Sequence, residues 1–324
     1  MYFTKTPLRI SFIGGGSDLE TFYSQSEGSV ISVTINKYIY LTMHKLFEEG
    51  KLFLKYSKSE NIKSLTEIKH PIIREVFTKY NIRNVDFNSS ADIPAGTGLG
   101  SSSAFTVGLI NLCLKHLNQF KTPLKIAEEA CEIEINKLKE PIGKQDQYAC
   151  SIGGINHFTF NSDGRVEAKK INISKEKLIN LNDNLHLFYT GITRSASSIL
   201  KDQIIETKKR NKFSVIKKMV NLTYPAKKSL ENGEFDEFGK ILNEGWMLKK
   251  EISNKITNEI IDELYDYGIS NGALGGKLLG AGGGGFILFY CPQNKRDNFL
   301  NKMIKDFRYV PFKFEFDGCV TKKL

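Results

Sequence analysis

Asp92-Ile-Pro-Ala-Gly-Thr-Gly-Leu-Gly-Ser-Ser-Ser-Ala104 is the stretch on which the reading of this chain turns. Gly96, Gly98 and Gly100 alternate, three serines follow, and Asp92 and Pro94 end whatever strand comes before. Glycines let backbone amides approach a ligand where a Cβ would stand in the way. A serine at the start of a helix caps free amides, and that end of a helix attracts anions. The next residues, Ala104 to Leu114, are apolar on nearly every side, as in a buried helix. The stretch therefore reads as a phosphate cradle opening onto a buried helix. A plain Gly/Ser turn with a helix cap is the competing reading of the glycines alone. No lysine precedes the serines, so this is not a Walker A loop, and the spacing is not that of a dinucleotide fingerprint.

The chain around it is ordinary in bulk composition. Its 324 residues suffice for two domains, with 40% hydrophobic and 25% charged residues. No stretch is long and apolar enough for a membrane span, and Met1 to Ile13 lacks a signal-peptide pattern, so a cytoplasmic protein without a membrane partner is expected. Five cysteines are scattered without a CxxC pair, which argues against both disulfides and zinc. The net charge of +10 is compatible with nucleic acid, an anionic membrane face or anionic small substrates. The lysines are densest from Lys201 to Lys228, among Asp202, Glu206 and an apolar periodicity, which reads as a solvated helix face.

Residues 3–13 read as a strand running into Gly14-Gly15-Gly16-Ser17-Asp18, with a short helix over 19–23. Residues 29–46 suggest two strands, 52–56 a third, 71–80 a helix, and 85–90 the strand that delivers the glycine loop. Thr122-Pro123 starts a helix that runs to Pro141. At helical spacing Glu134 falls on its apolar face with Ala127, Cys131 and Leu138, while Glu128, Glu129 and Glu132 point to solvent. Such a glutamate either snorkels at the core edge or is buried with a cation or donors, and snorkelling is the commoner case. Asp146, in a short polar insertion after Pro141, is a helix cap or a general base.

Strands are expected at 155–160 and 186–190, followed by helices over 195–210, 213–230 (interrupted at Pro225), 235–252 and 258–270. A second glycine-rich run, Gly275 to Gly285, leads to a strand over 286–290, a helix over 295–307 and a last strand over 310–316. The split expected is 1–184 and 185–324, with α+β content and a tight interface.

Three ordered stretches together resemble the GHMP kinases: Pro7 to Asp18, Pro94 to Ala104, and Lys277 to Gly285. The resemblance spans essentially the whole chain. It implies a two-domain α+β fold, with a mixed-sheet N-terminal domain carrying the phosphate loop and a ferredoxin-like C-terminal domain. Arg9-Ile-Ser-Phe with Gly14-Gly15-Gly16-Ser17-Asp18, the segment Gly143 to Gln147, and Tyr189 to Ser195 are most similar to the branch that phosphorylates heptose 7-phosphates. Fucokinase-type sugar kinases share the first of these. The implied partners are ATP and a sugar phosphate, with Mg²⁺. Nucleic-acid binding is disfavoured because it has no need of Arg9, Glu134 and Asp146 together. A homodimer is compatible with the sequence, which does not settle oligomeric state.

The family's roles then fall on particular residues. Pro94, Gly96, Thr97, Gly98, Leu99, Gly100, Ser101, Ser102 and Ser103 would hold the ATP phosphates, with Ser102 and Glu134 serving Mg²⁺. That role accounts for the glutamate better than snorkelling. Asp146 would take or orient the acceptor proton, and Arg9 would be its cationic partner. Gly14, Gly15, Gly16, Ser17 and Asp18 would bind sugar hydroxyls, and Gly282 and Gly283 would support loop and substrate. Arg194 and Lys277, with Lys144 a weaker candidate, are neighbourhood choices for the substrate's own phosphate. Transfer is expected to be direct and in line.

Overall fold

The computed structural model describes residues 1–193, 196–207 and 209–324. Thirteen strands are assigned among these residues, in two sheets. The first nine-stranded sheet is organised by β1 (Tyr2–Ile13) and β2 (Gly28–Lys45), which pair antiparallel along most of their length. The two strands expected within 29–46 are one. Its irregularity is a bulge: the register shifts at Pro7/Leu8, so that Asn36 and Lys37 have no residue opposite them. Pro7 has no N–H to give to a ladder, and a bulge is where a sheet tolerates that.

The other edge of β2 is shared. Its C-terminal half pairs with β5 (Val85–Ala91) and its N-terminal half with β6 (Ile155–Phe160). Beyond β5 lie β3 (Leu52–Lys55), which pairs with it in parallel, and then β4 (Ser59–Ile62). Beyond β6 lies β7 (Val166–Lys170). The sheet is therefore mixed.

From Thr6 onward β1 is buried at every residue, which requires cover on both faces. The Ser101–His116 helix covers one face. Its close approach needs Gly108, where a Cβ would lie 2.5 Å from the Thr6 hydroxyl oxygen. The Phe235–Lys250 helix covers the other, with Phe238 edge-on to Phe12 at 5.2 Å.

The second sheet contains β8 (Leu185–Tyr189), β9 (Gly275–Leu278), β10 (Phe286–Tyr290) and β11 (Arg308–Tyr309). Its spatial order is β11-β8-β10-β9, all antiparallel. Helices separate β8 from β9 and β10 from β11, so the unit has the split βαββαβ order of the ferredoxin-like arrangement. Its core gathers Phe188, Trp246, Tyr265, Phe289 and Phe299.

Three further expectations change. The helix expected over 213–230 is two, Arg210–Asn221 and Thr223–Asn232. Pro225 does not interrupt either one; it sits in the first turn of the second, where its missing N–H costs nothing. The last strand, expected over 310–316, is replaced by β11 and two further strands, β12 (Phe314–Glu315) and β13 (Val320–Lys323). These pair with β2 and β1, so the end of the chain returns to the first sheet. Glu129, expected in solvent, is buried beside Tyr80, Lys79 and Lys121, which pair with its carboxylate.

Candidate active site

The glycine loop lies between β5 and the Ser101–His116 helix. Gly96, Gly98 and Gly100 all have positive φ, at 77°, 84° and 76°. The helix is capped by Gly100 and not by a serine, so its N-cap residue has no side chain to bond the first-turn amides. A left-handed residue at that position leaves Ser101, Ser102 and Ser103 to present an uncapped helix start. That end suits an anion better than a serine-capped one.

The second glycine run holds this loop in place. A Cβ on Gly98 would lie 2.4 Å from the Leu279 carbonyl oxygen, and one on Gly280 would lie 2.5 Å from the Gly98 Cα. Backbone therefore meets backbone with no room for a side chain.

Arg9 joins loop, strand and acid. Its Nε and Nη2 donate to the two oxygens of Asp146, each at 2.7 Å, and its Nη1 donates to the Gly98 carbonyl at 2.7 Å. The Arg9 backbone N–H also donates to the Leu99 carbonyl at 3.0 Å. Burial works against the Arg9 cation, but the charge and hydrogen bonds of Asp146 outweigh it and raise its pKa. Asp146 lies in the first turn of the Gln145–Ile152 helix. Each carboxylate oxygen retains acceptor capacity after its bond to Arg9.

Asp18 sits beside this pair, 3% exposed. Its carboxylate accepts from the Gly16 N–H at 2.9 Å and from the Gln145 N–H and side-chain amide at 3.3 Å. Burial first, and then the Asp146 charge, push the Asp18 carboxyl above the usual range. A Cβ on Gly143 would fall 1.9 Å from an Asp18 oxygen, so the carboxylate reaches its place only because residue 143 is glycine.

Glu134 is fully buried and not snorkelling. It lies in a six-residue π-helical turn, Glu132–Lys137, that continues the Pro123–Cys131 helix. Such turns re-aim a side chain within a helix. Its carboxylate accepts from the Ser102 hydroxyl at 3.0 Å and the Gln147 amide at 2.8 Å. Burial pushes its carboxyl up to about 7 against the Gln147, Ser103 and Ser102 hydrogen bonds. Among the described residues no cluster of three or more His, Cys, Asp or Glu could hold a metal by itself.

These groups surround a cavity of about 620 Å³. Arg9, Gly15, Gly16, Asp18, Gly96, Gly98, Gly100, Ser101, Ser102, Ser103, Asp146 and Lys277 line it. Gly14, Ser17, Pro94, Thr97, Leu99 and Glu134 stand behind the lining or at its edge. Gly282 and Gly283 are outside it; they pack on Ile256, whose carbonyl accepts from the Gly283 N–H at 2.8 Å. Lys144 faces elsewhere, donating to the Gly164 carbonyl at 2.6 Å over the Tyr23 ring. Arg194 lies outside the described residues.

Two parts of the cavity have no counterpart among the sequence expectations. Beyond the glycine loop, Ile39, Tyr56, His70, Ile72, Ile93 and Phe105 make an apolar, ring-lined recess that suits a flat heteroaromatic base. His70 lies 5.2 Å from Phe105 and 5.0 Å from Tyr56 between ring centroids. The other is Lys249, which joins the expected Lys277 in the cavity wall. Burial, then the Arg9 charge, brings the Lys249 ammonium down to about 8. Lys277 is lowered well below the usual lysine value by burial, Lys249 and Arg9.

Comparison with known proteins agrees along the whole chain. Residues 67–154 match the GHMP kinases N terminal domain and residues 226–308 the GHMP kinases C terminal domain. The chain is 31% identical to D-glycero-alpha-D-manno-heptose 7-phosphate kinase of Campylobacter jejuni, covering 99% of this chain and 98% of that one. It is 26% identical to the bifunctional fucokinase/GDP-fucose pyrophosphorylase of Arabidopsis thaliana, covering 93% of this chain and 31% of that protein. Among solved structures, a D-glycero-D-manno-heptose 1-phosphate kinase from Bacteroides thetaiotaomicron shares the fold, with a TM-score of 0.79 at 24% identity and coverage of 100% and 99%.

Proposed function

The chain belongs to the GHMP kinases, and we propose that it transfers the γ-phosphoryl group of ATP to the anomeric hydroxyl of D-glycero-D-manno-heptose 7-phosphate. The products would be the 1,7-bisphosphate and ADP, a step toward nucleotide-activated heptose for surface polysaccharide. The coarser statement, an ATP-using phosphotransferase acting on a sugar hydroxyl, follows from family membership. The finer one rests on the likeness to the Campylobacter enzyme over nearly all of both chains. Residues 1–184 would be the catalytic domain and 185–324 the C-terminal domain, apart from the tail that pairs with β1 and β2.

The observation that carries the reading is the Arg9–Asp146 pair on the cavity wall beside an uncapped helix start. In this reading the ring-lined recess takes the adenine, and the amides of Gly96 to Ser103 take the phosphates. Asp18 and the Gly15-Gly16 loop orient the sugar. The acceptor hydroxyl donates its proton to Asp146 as its oxygen attacks the γ-phosphorus in line and ADP leaves. Arg9 keeps the carboxylate aimed and favours the developing alkoxide charge. No enzyme side chain becomes phosphorylated.

Ser102 and Glu134 fit Mg²⁺ as a pair of hard oxygen donors, one hydroxyl at the cavity and one carboxylate behind it. Two protein oxygens suit an ion that arrives on the nucleotide phosphates, where it would neutralise phosphate charge. A second reading, a kinase of a neutral sugar such as L-fucose, is favoured by the likeness to the plant fucokinase.

ADP release from a panel of heptose 7-phosphate, L-fucose and D-galactose separates the two. We expect heptose 7-phosphate to be preferred by about 100-fold or more in kcat/KM. Turnover of the free sugars alone would replace the first reading with the second.

A further inference from the structure

The transfer chemistry leaves three polar groups of the cavity without a task. Lys249 lies in the last turn of the Phe235–Lys250 helix, is 6% exposed, and donates its ammonium to the Gly280 carbonyl. Lys277, in β9, is 4% exposed and donates to the Phe12 carbonyl at 2.7 Å. Among the described residues neither forms an ion pair with a carboxylate. Ser11 lines the same cavity, is 4% exposed, and its hydroxyl has no hydrogen-bond partner among the described residues.

Burying an ammonium costs several kcal/mol unless a counter-charge offsets it. Here two are buried on one wall, near each other and near Arg9, each bonded to a backbone carbonyl. The carboxylates of the cavity are Asp18, Glu140 and Asp146. Asp146 is taken up by Arg9, and Asp18 by the amides of Gly16 and Gln145. An unpartnered hydroxyl aimed into the same space is a donor awaiting an acceptor. Two ammoniums and a free hydroxyl match the charge and acceptor oxygens of a phosphate monoester dianion.

Two phosphates could supply that dianion, the one carried by the sugar and the one being transferred. The position favours the first. Lys277 is tied to Phe12, and Ser11 lies under the Gly14 to Asp18 loop, 3.4 Å from where a Gly15 Cβ would be. Both lie beside the Gly14 to Asp18 loop and the strand that leads into it, whereas Lys249 bonds the carbonyl of Gly280, which packs on Gly98.

We propose that Ser11, Lys249 and Lys277 form the subsite for the phosphate ester carried by the sugar substrate, and that this subsite makes the enzyme select a phosphorylated sugar over a neutral one. The proposal rests on the sugar-phosphate kinase reading above. It assigns the phosphate to Lys277, expected from its neighbourhood, and adds Lys249 and Ser11, which were not.

The test is steady-state kinetics of Lys249→Met, Lys277→Met and Ser11→Ala with heptose 7-phosphate, together with competition by inorganic phosphate. Each lysine variant should raise the KM for the sugar phosphate by about 30-fold or more, the worth of one charge-assisted hydrogen bond. The KM for ATP should stay within about twofold, which also shows that the variants are folded. Lys249→Arg should recover part of the loss, and inhibition by inorganic phosphate against the sugar should weaken in parallel. Ser11→Ala, the mildest change, should raise the same KM by several-fold.

An unchanged KM in all three variants overturns the proposal and leaves the functional reading intact. So does a fall in kcat alone that is equal for phosphorylated and neutral sugars, which would assign the lysines to the transferred group. A wild-type enzyme that phosphorylates neutral sugars but no sugar phosphate removes the functional reading, and this proposal with it.

Discussion

Arg9 and Asp146 are 137 positions apart in the chain and are joined by two hydrogen bonds of 2.7 Å, while the third arm of the same guanidinium fixes the Gly98 carbonyl. One side chain thus sets the distance between the acid and the glycine loop. Asp146→Asn should lower kcat by about 100-fold or more with ATP binding near normal, because a neutral amide cannot take the acceptor's proton. Arg9→Lys should lower kcat and also weaken ATP binding, since a lysine cannot bond to both Asp146 oxygens and Gly98 at once. Equal kcat in wild type and Asp146→Asn would remove Asp146 from the chemistry.

Gly143 is needed for the place of Asp18, since a Cβ would fall 1.9 Å from an Asp18 oxygen. Gly143→Ala should therefore raise the KM for the sugar by about tenfold or more and spare the KM for ATP. Crystals of the variant should show the Asp18 carboxylate displaced. A normal sugar KM would mean that Asp18 does not contact the substrate.

Ser102 donates to Glu134 at 3.0 Å and lines the cavity. Ser102→Ala should raise the Mg²⁺ concentration for half-maximal activity by about tenfold, one lost hard oxygen ligand. A metal titration that matches wild type would point to a neighbouring serine instead.

The second sheet carries a pH liability. His186 is 2% exposed, and neither ring nitrogen has a hydrogen-bond partner among the described residues. Burial, with a smaller effect of Arg296, lowers its pKa from 6.5 to about 4. Below pH 6.5 the unfolded chain takes up a proton that the folded chain refuses, so stability falls from about pH 6.5 down to about pH 4. The loss from this group is on the order of 3 kcal/mol. Buried His157, also lowered to about 4, adds a similar slope. Denaturant melts across this range should show less loss of stability toward low pH in His186→Phe than in wild type; an unchanged slope would contradict the assignment.

What the sequence disclosed depended on how locally each feature is encoded. The glycine loop ahead of a buried helix was legible because alternating glycines and an apolar run are written within a dozen residues each; Asp146 read locally as a cap or a base, and Arg9 stood out only through the resemblance carried by Pro7 to Asp18. Glu134 was legible as an anomaly of helical spacing, although the π-turn that aims it inward has no local signature. Glu129 was misread for a related reason: Tyr80, Lys79 and Lys121, which make its burial tolerable, come from other segments. Lys249 looks like any lysine at a helix end, where cations are favoured anyway. Tyr56, His70 and Phe105 converge from three separate segments. The return of β12 and β13 to the first sheet is a long-range pairing that no pattern in residues 310–324 announces.

The central claim is the reaction itself, and the most direct measurement is the structure of its product. Purified protein with ATP, Mg²⁺ and D-glycero-D-manno-heptose 7-phosphate should yield, by ³¹P NMR, one new phosphate coupled to the anomeric proton, in equal amount to ADP and abolished in Asp146→Asn. Phosphate appearing at another hydroxyl, or on L-fucose or D-galactose with none on the heptose phosphate, would contradict the account.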